Sequence, residues 1–271
     1  MRARWALPVV AASRLVVLLP LVLGCAVPPL RPAWRRPPPP TSDRAVIRPE
    51  SLVRGELPNG LRTLVLEDRR LPRVVLGLTV RRGAAMVDPE RAGLARFTVE
   101  LMERGAGSRD AVALAEAVDE IGASLSAWAG WDAAGVVVSG LSRDLDRLVE
   151  ILADVVLRPR FDPAEAERAR GEQLASLEQA KDSSATLVRW YTARTLYAGH
   201  RFGLPRAGTP ESVRRLDARA ARGFHRQVFL PNNAVLFGSG DLSAADWASR
   251  AQVFFGAWKM RGLPDTGPAP P

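Results

Sequence analysis

Residues 93–107, GLARFTVELMERGAG, decide the fold expected for this chain. Within this stretch Leu94, Phe97 and Leu101 recur at the i, i+3 and i+7 positions, which places them on one face of a helix. Gly93 precedes the first of these residues and Gly105 follows the last, and glycine is typical of both helix boundaries. The stretch therefore predicts an amphipathic helix that buries its apolar face.

The polar residues of this helix allow two interpretations. Arg96 and Glu100 are four residues apart and can form an ion pair on the helix surface. Glu100 and Glu103 could instead bind a metal ion, although such carboxylate pairs are common on solvated helix faces. Arg96 is always protonated and repels a cation, and Val99 can neither give nor accept a proton. We favour the ordinary helix with one ion pair.

The same stretch resembles the metal-site helix of the insulinase, pitrilysin and mitochondrial processing peptidase family. In that family the pattern is G-L-A-H-F-x-E-H-M, which contains the inverted zinc motif H-x-x-E-H. Arg96 stands at the first His position, Val99 at the Glu position and Glu100 at the second His position. The matching positions are those that build the helix: Gly93, Leu94, Ala95 and Phe97. The resemblance thus implies that the helix is kept and the zinc cofactor is lost.

A third zinc ligand of the family, a Glu, comes from a later helix. Asp162, Pro163 and Glu165 form a strong helix start and predict a helix that runs to about residue 179. The resemblance places Ser176 at the position of this third ligand. Further matching landmarks extend the resemblance over about residues 52–258: LPNGL at 57–61, YAGHRFG at 197–203, GTPES at 208–212 and FLPNNA at 229–234.

An alternating pattern predicts a strand at 62–67 and an apolar run predicts a second at 74–81. Two more strands are expected at 124–131 and 135–141, with helices between the second and third strands and after the fourth. We expect an α+β fold in which helices cover one face of a largely antiparallel sheet, like one half of a processing-peptidase subunit. The expected domain spans residues 51–260. Of the two histidines, His200 is expected to be structural and His225 to lie at the surface or partly buried. The sequence contains no phosphate loop and no G-x-S-x-G elbow.

The net charge of +9 is unevenly distributed along the chain. Residues 1–54 contain nine arginines against two acidic residues, Asp43 and Glu50, so most of the excess lies there. The remainder is close to neutral, which argues against a nucleic-acid partner.

The N-terminus has the pattern of an export signal over residues 1–25, with Arg2 and Arg4 before a mostly apolar run. The tetrapeptide VLGC at 22–25 resembles a bacterial lipobox, in which Cys25 would carry the lipid. A plain secretory signal cut near Ala26 is the alternative. The Pro- and Arg-rich stretch 26–50 predicts an extended tether, and 261–271 is a Gly/Pro-rich tail. These features predict an exported protein of the bacterial cell envelope that is lipid-anchored to a membrane.

Three functions follow from these observations. The first is a zinc-less partner subunit, in a hetero-oligomer with a zinc-bearing family member, that helps bind extended peptides. The second is a stand-alone peptide-binding or scaffold module of the envelope, and the third is an active metallopeptidase with an unusual site. In the family, substrate adds as an extra strand to the segment after Gly-Ala-Ser-Leu, which is 122–125 here. The resemblance therefore implies a peptide-binding edge formed by Ser126, Ala127, Trp128, Ala129 and Trp131, although both tryptophans could be ordinary half-buried sheet residues.

Overall fold

A computed structural model describes residues 51–262 of the chain. Its sheet has six strands in the order β1-β2-β6-β3-β5-β4. Neighbouring strands are antiparallel except β2 and β6, which are parallel. The strand bounds are β1 Leu52–Glu56, β2 Arg62–Glu67, β3 Arg73–Val80, β4 Ser124–Ala129, β5 Ala134–Leu141 and β6 Ala234–Gly240.

Helices lie in the connections from β3 to β4 and from β5 to β6, and the last one follows β6. In chain order their bounds are α1 Leu94–Met102, α2 Ala111–Asp119, α3 Leu145–Leu157, α4 Pro163–Ala180, α5 Ser184–Leu196, α6 Pro210–Val213, α7 Ala218–Val228 and α8 Ala244–Phe255. Within the described residues no helix is both long and apolar enough to cross a membrane.

The core lies between one face of the sheet and the helices. Alternate residues of β3 and β5 point into it, because side chains of a strand alternate between its two faces. The buried strand residues include Val74, Leu76, Leu78, Val136 and Val138, and they meet buried helix residues such as Phe97, Leu101, Leu148 and Leu152. The predicted α+β fold, with one largely antiparallel sheet covered by helices, is confirmed.

The other face of the sheet also carries apolar side chains, but these remain partly exposed. They come from four neighbouring strands: Leu64, Leu66, Val75, Val137, Val235 and Phe237. The sheet therefore has one face in the core and one apolar face that is only half-buried.

Strands β1 and β4 form the two edges of the sheet. The predicted strand 124–131 is too long, because β4 ends at Ala129. There the backbone turns, and the Gly130 N–H donates to the Ala133 carbonyl at 2.7 Å. Trp131 therefore lies beyond the strand, in the connection to β5.

Several sequence predictions concern residues outside the described part of the chain. They are the export signal 1–25 with its lipidation residue Cys25, the tether 26–50, and all but the first two residues of the tail 261–271.

Candidate functional site

Helix α1 carries the positions that match the metal-site motif. Gly93 precedes it with a left-handed φ of +95°, a conformation that favours glycine. A Cβ at Gly93 would lie 2.6 Å from the Ala207 carbonyl oxygen, so a side chain is also sterically excluded. Leu94, Phe97 and Leu101 are all buried, as the pattern predicts. The helix ends at Met102, earlier than Gly105 suggests.

The predicted ion pair of α1 is present. Arg96 Nε lies 2.6 Å from Glu100 Oε1, and the two side chains are 40% and 26% exposed. Val99, at the position of the family's general base, is only 1% exposed and belongs to the core. The helix thus presents a paired cation and anion where the family motif has two histidines, and an aliphatic side chain where it has a carboxylate.

Ser176, the predicted counterpart of the third ligand, is half-buried on α4. Its hydroxyl is a neutral group, whereas zinc in proteins is bound by His, thiolate or carboxylate. Among the described residues no group of three or more His, Cys, Asp or Glu side chains is arranged to hold a metal ion.

Helices α1 and α4 are linked by direct side-chain contacts that the sequence does not reveal. Gln173 of α4 is buried, and its Nε2 donates to the carbonyl oxygens of Gly93 at 3.3 Å and Ala207 at 2.7 Å. Arg104, just after α1, pairs with two carboxylates of α4, those of Glu172 and Glu165. These contacts join the two helices on which the family places its zinc ligands.

Glu103 connects the end of α1 to the edge of the sheet. Its Oε1 accepts a hydrogen bond from the backbone N–H of Ala127 in β4. The pKa of Glu103 is raised to about 7, chiefly by burial; the charge of Glu100 adds to this increase, and the hydrogen bond from Ala127 and the charge of Arg104 oppose it. Glu103 is therefore partly protonated near neutral pH. This carboxylate is hydrogen-bonded to the edge strand β4. The sequence alternative, in which Glu100 and Glu103 bind a metal ion, gave it a different role.

Four of the five predicted peptide-binding residues lie together on β4. Ser126 and Trp128 are exposed, with Trp128 at 41%, and Ala127 and Ala129 are half-buried against the core. The indole of Trp128 lies over the neighbouring strand, because a Cβ on Gly135 would be 3.0 Å from its Nε1. Trp128 thus gives the edge strand an exposed aromatic surface.

Trp131 belongs to a separate aromatic cluster. Its ring centroid is 4.9 Å from that of Phe202, which also contacts Tyr197 at 5.9 Å and His200 at 4.8 Å. His200 has a local structural role, since its Nδ1 accepts from the Phe202 N–H at 3.3 Å. This cluster fastens the 200–204 segment to the end of the β4–β5 hairpin.

His225 is more buried than the sequence suggests. It is 9% exposed, with Nε2 2.8 Å from the Val156 carbonyl oxygen and the ring stacked on Phe229 at 4.9 Å. Burial lowers the pKa of His225 to about 4, so the imidazole is neutral at pH 7. Both histidines of the chain therefore have structural contacts away from α1.

The family model "Insulinase (Peptidase family M16)" matches residues 62–210. An uncharacterized zinc protease of Mycobacterium leprae is 25% identical over 227 residues, which are 84% of this chain and 51% of that protein. The beta subunit of bovine mitochondrial-processing peptidase is 26% identical over 200 residues, 74% of this chain and 41% of that protein. The chain thus spans about half the length of the curated relatives it matches, or less.

Solved structures show the same fold. The peptidase M16 inactive domain from Pseudomonas fluorescens aligns with a TM-score of 0.73 at 24% identity, over 78% of this chain and 52% of that chain. The periplasmic protease PqqL from Escherichia coli aligns with a TM-score of 0.72 at 18% identity, over 82% of this chain and 25% of that chain. The family match covers more than half of the sequence and includes α1, β4, β5 and all of α4. The chain is therefore a member of peptidase family M16, the insulinase family.

Proposed function

We propose that this chain is a non-catalytic, zinc-less member of the family that binds extended peptides beside an active, zinc-bearing subunit. The observation that carries this proposal is the state of the motif on α1. Arg96 and Glu100 pair with each other at the two His positions, and Val99 is buried at the Glu position.

These residues do not fit a catalytic zinc ion. Such an ion needs about three protein ligands and an open position for water. Arg96 repels a cation, Ser176 is neutral, and the charge of Glu100 is already compensated. Val99 cannot take the proton of an attacking water, so general-base catalysis is also missing. The fold neighbour from Pseudomonas fluorescens, described as an inactive domain, is consistent with this proposal.

The edge strand β4 supports the peptide-binding part of the proposal. An exposed edge offers backbone groups that can pair with an extended peptide and depend little on its sequence. Trp128 stands beside these groups with a large exposed ring, and tryptophan is enriched at binding hot spots.

We expect Trp128→Ala to weaken the binding of an extended peptide by about tenfold or more, the range of a moderate hot spot. Fluorescence anisotropy with a labelled peptide measures this change. Val253→Ala is the control, because Val253 is 73% exposed on α8 and is not part of β4. Unchanged affinity of the Trp128→Ala variant would show that the Trp128 ring is not part of the peptide-binding surface.

The exposed surface of α5 supports the proposal that a partner subunit binds this chain. None of the residues of this helix is buried, and Val188, Tyr191 and Leu196 are 63%, 68% and 71% exposed. Beside them a groove of about 630 Å³ is lined in part by Leu187 and Trp190. Exposed apolar surface of this kind marks association sites, and we propose that a zinc-bearing family member covers it.

If this chain associates with a zinc-bearing family member, the two proteins should co-purify. We expect the protein, captured at its native level from its own cell envelope, to carry a zinc-bearing M16 protein with it. Mass spectrometry identifies that protein, and light scattering gives the size of the complex. A monodisperse monomer without a co-purifying family member would instead support the stand-alone peptide-binding or scaffold module.

We further propose that Cys25 is lipid-modified and anchors the protein to a membrane of the cell envelope. The proposal rests on the VLGC sequence after an apolar run and on the Pro-rich stretch that follows. Cys25→Ser is expected to move the protein from the membrane fraction to the soluble fraction and to remove the mass of the lipid, because the anchor supplies the membrane affinity. Membrane binding that persists at unchanged mass would refute the anchor.

A further inference from the structure

The backbone groups of β4 alternate between the neighbouring strand and the free edge of the sheet. Gly130 donates to Ala133 across the hairpin, whereas the N–H of Ala127 points to Glu103. In an antiparallel pair the hydrogen-bonding direction alternates from one residue to the next. The residues whose backbone N–H and C=O groups face outward are therefore Leu125, Ala127 and Ala129.

An added peptide strand would use these three outward-facing residues. The N–H of the central one, Ala127, is already bound to the Glu103 carboxylate. A hydrogen bond to a carboxylate is roughly twice as strong as one between neutral groups. The carbonyl of an incoming peptide must therefore displace a stronger acceptor from the middle of the edge.

We propose that Glu103 is a proton-controlled gate on the peptide-binding edge of β4. The ionised carboxylate closes the Ala127 N–H to a peptide, and protonation of Glu103 opens it. The inference rests on the proposed peptide-binding function and describes the regulation of that same site. In the opening step Glu103 takes up one proton, its bond to the Ala127 N–H breaks, and the N–H bonds to a peptide carbonyl.

The charges around Glu103 allow this protonation near neutral pH. On its own segment Glu100 favours the protonated form and Arg104 opposes it. The positive charge of Arg104 is shared with Glu172 and Glu165 of α4. Strand β4 contributes no titratable side chain between residues 124 and 129. With its pKa at about 7, Glu103 changes its charge between pH 8 and pH 6.

The direction of the pH effect follows from proton linkage. A bound peptide places its carbonyl beside Glu103, which favours the neutral carboxyl and raises its pKa further. Binding therefore takes up a proton wherever the free protein is still ionised, and affinity increases as pH falls. For one such group we expect peptide to bind about tenfold more tightly at pH 6 than at pH 8.

The test compares the full chain with its Glu103→Gln and Glu103→Ala variants. The probe is a labelled extended peptide with blocked ends and no ionisable side chains, titrated at pH 6, 7 and 8. The parent should show the tenfold increase, and both variants should bind equally at all three values. Glu178→Gln is the control, because Glu178 is an exposed carboxylate of α4 paired with Lys181, and it should keep the parent's pH dependence.

The outcomes separate the gate from peptide binding itself. A Glu103→Gln variant that keeps the parent's pH dependence overturns the gate, as does a parent that binds peptide equally at all three pH values. If neither the parent nor the variants bind peptide at any pH, the proposed function fails and the gate fails with it.

A second measurement on the parent chain does not depend on the folding of any variant. The Ala127 amide proton, followed by NMR without peptide, should titrate with a midpoint near pH 7 as its carboxylate acceptor becomes neutral. An Ala127 amide that does not titrate between pH 6 and pH 8 overturns the gate.

Discussion

Phe97→Ala is expected to lower the free energy of unfolding by about 3–5 kcal/mol, the usual cost of truncating a buried aromatic residue. Phe97 is fully buried on the core face of α1. Its removal leaves a cavity between the helix and the sheet, because close-packed cores relax only in part. Urea unfolding of the variant and the parent chain measures the difference.

The neighbouring residue gives a matched comparison. Arg96→Ala removes a side chain that is 40% exposed and paired with Glu100. Exposed ion pairs of this kind are worth about 0–1 kcal/mol, so this variant should unfold close to the parent. If Arg96→Ala costs as much as Phe97→Ala, the first motif position has a structural role that the fold does not explain.

Much of the fold is accessible from the sequence because its strongest periodic patterns are also its most buried elements. Strands β3 and β5 are largely apolar runs, and the buried face of α1 repeats every three to four residues. Local sequence patterns do not predict the parallel pairing of β2 with β6, because it joins residues as distant in sequence as Arg62 and Val235. Helix α5 is not predicted from the sequence because none of its residues is fully buried, and its apolar residues Val188, Tyr191 and Leu196 are largely exposed.

The candidate site is only partly readable from the sequence. The chemistry of Arg96 and Val99 argues against the zinc motif from residue type alone. The roles of Glu103 and Gln173 depend on tertiary contacts across 24 and 80 residues, which no local pattern records. Trp131 is close to Trp128 in sequence but lies in a different environment, because the strand ends between them. The contact of Glu103 with β4 and the link of Gln173 between the helices are therefore visible only in the structure.

The largest functional effect expected is the complete absence of zinc-dependent peptide cleavage. Zinc-site affinity comes from several deprotonated ligands held in one geometry. Here the corresponding helix offers an arginine and a carboxylate already bonded to it. Without the metal there is no activated water, and Val99 could not deprotonate one. A partner subunit would have to supply both.

The most direct test of the non-catalytic assignment is the zinc content of the purified chain. The protein is incubated with zinc, dialysed and examined by elemental analysis, and peptide cleavage is assayed with and without a chelator. A family member with an intact H-x-x-E-H motif, treated in the same way, is the positive control. We predict far less than one zinc per chain and cleavage no faster than the buffer blank. One zinc per chain together with chelator-sensitive cleavage would contradict the assignment.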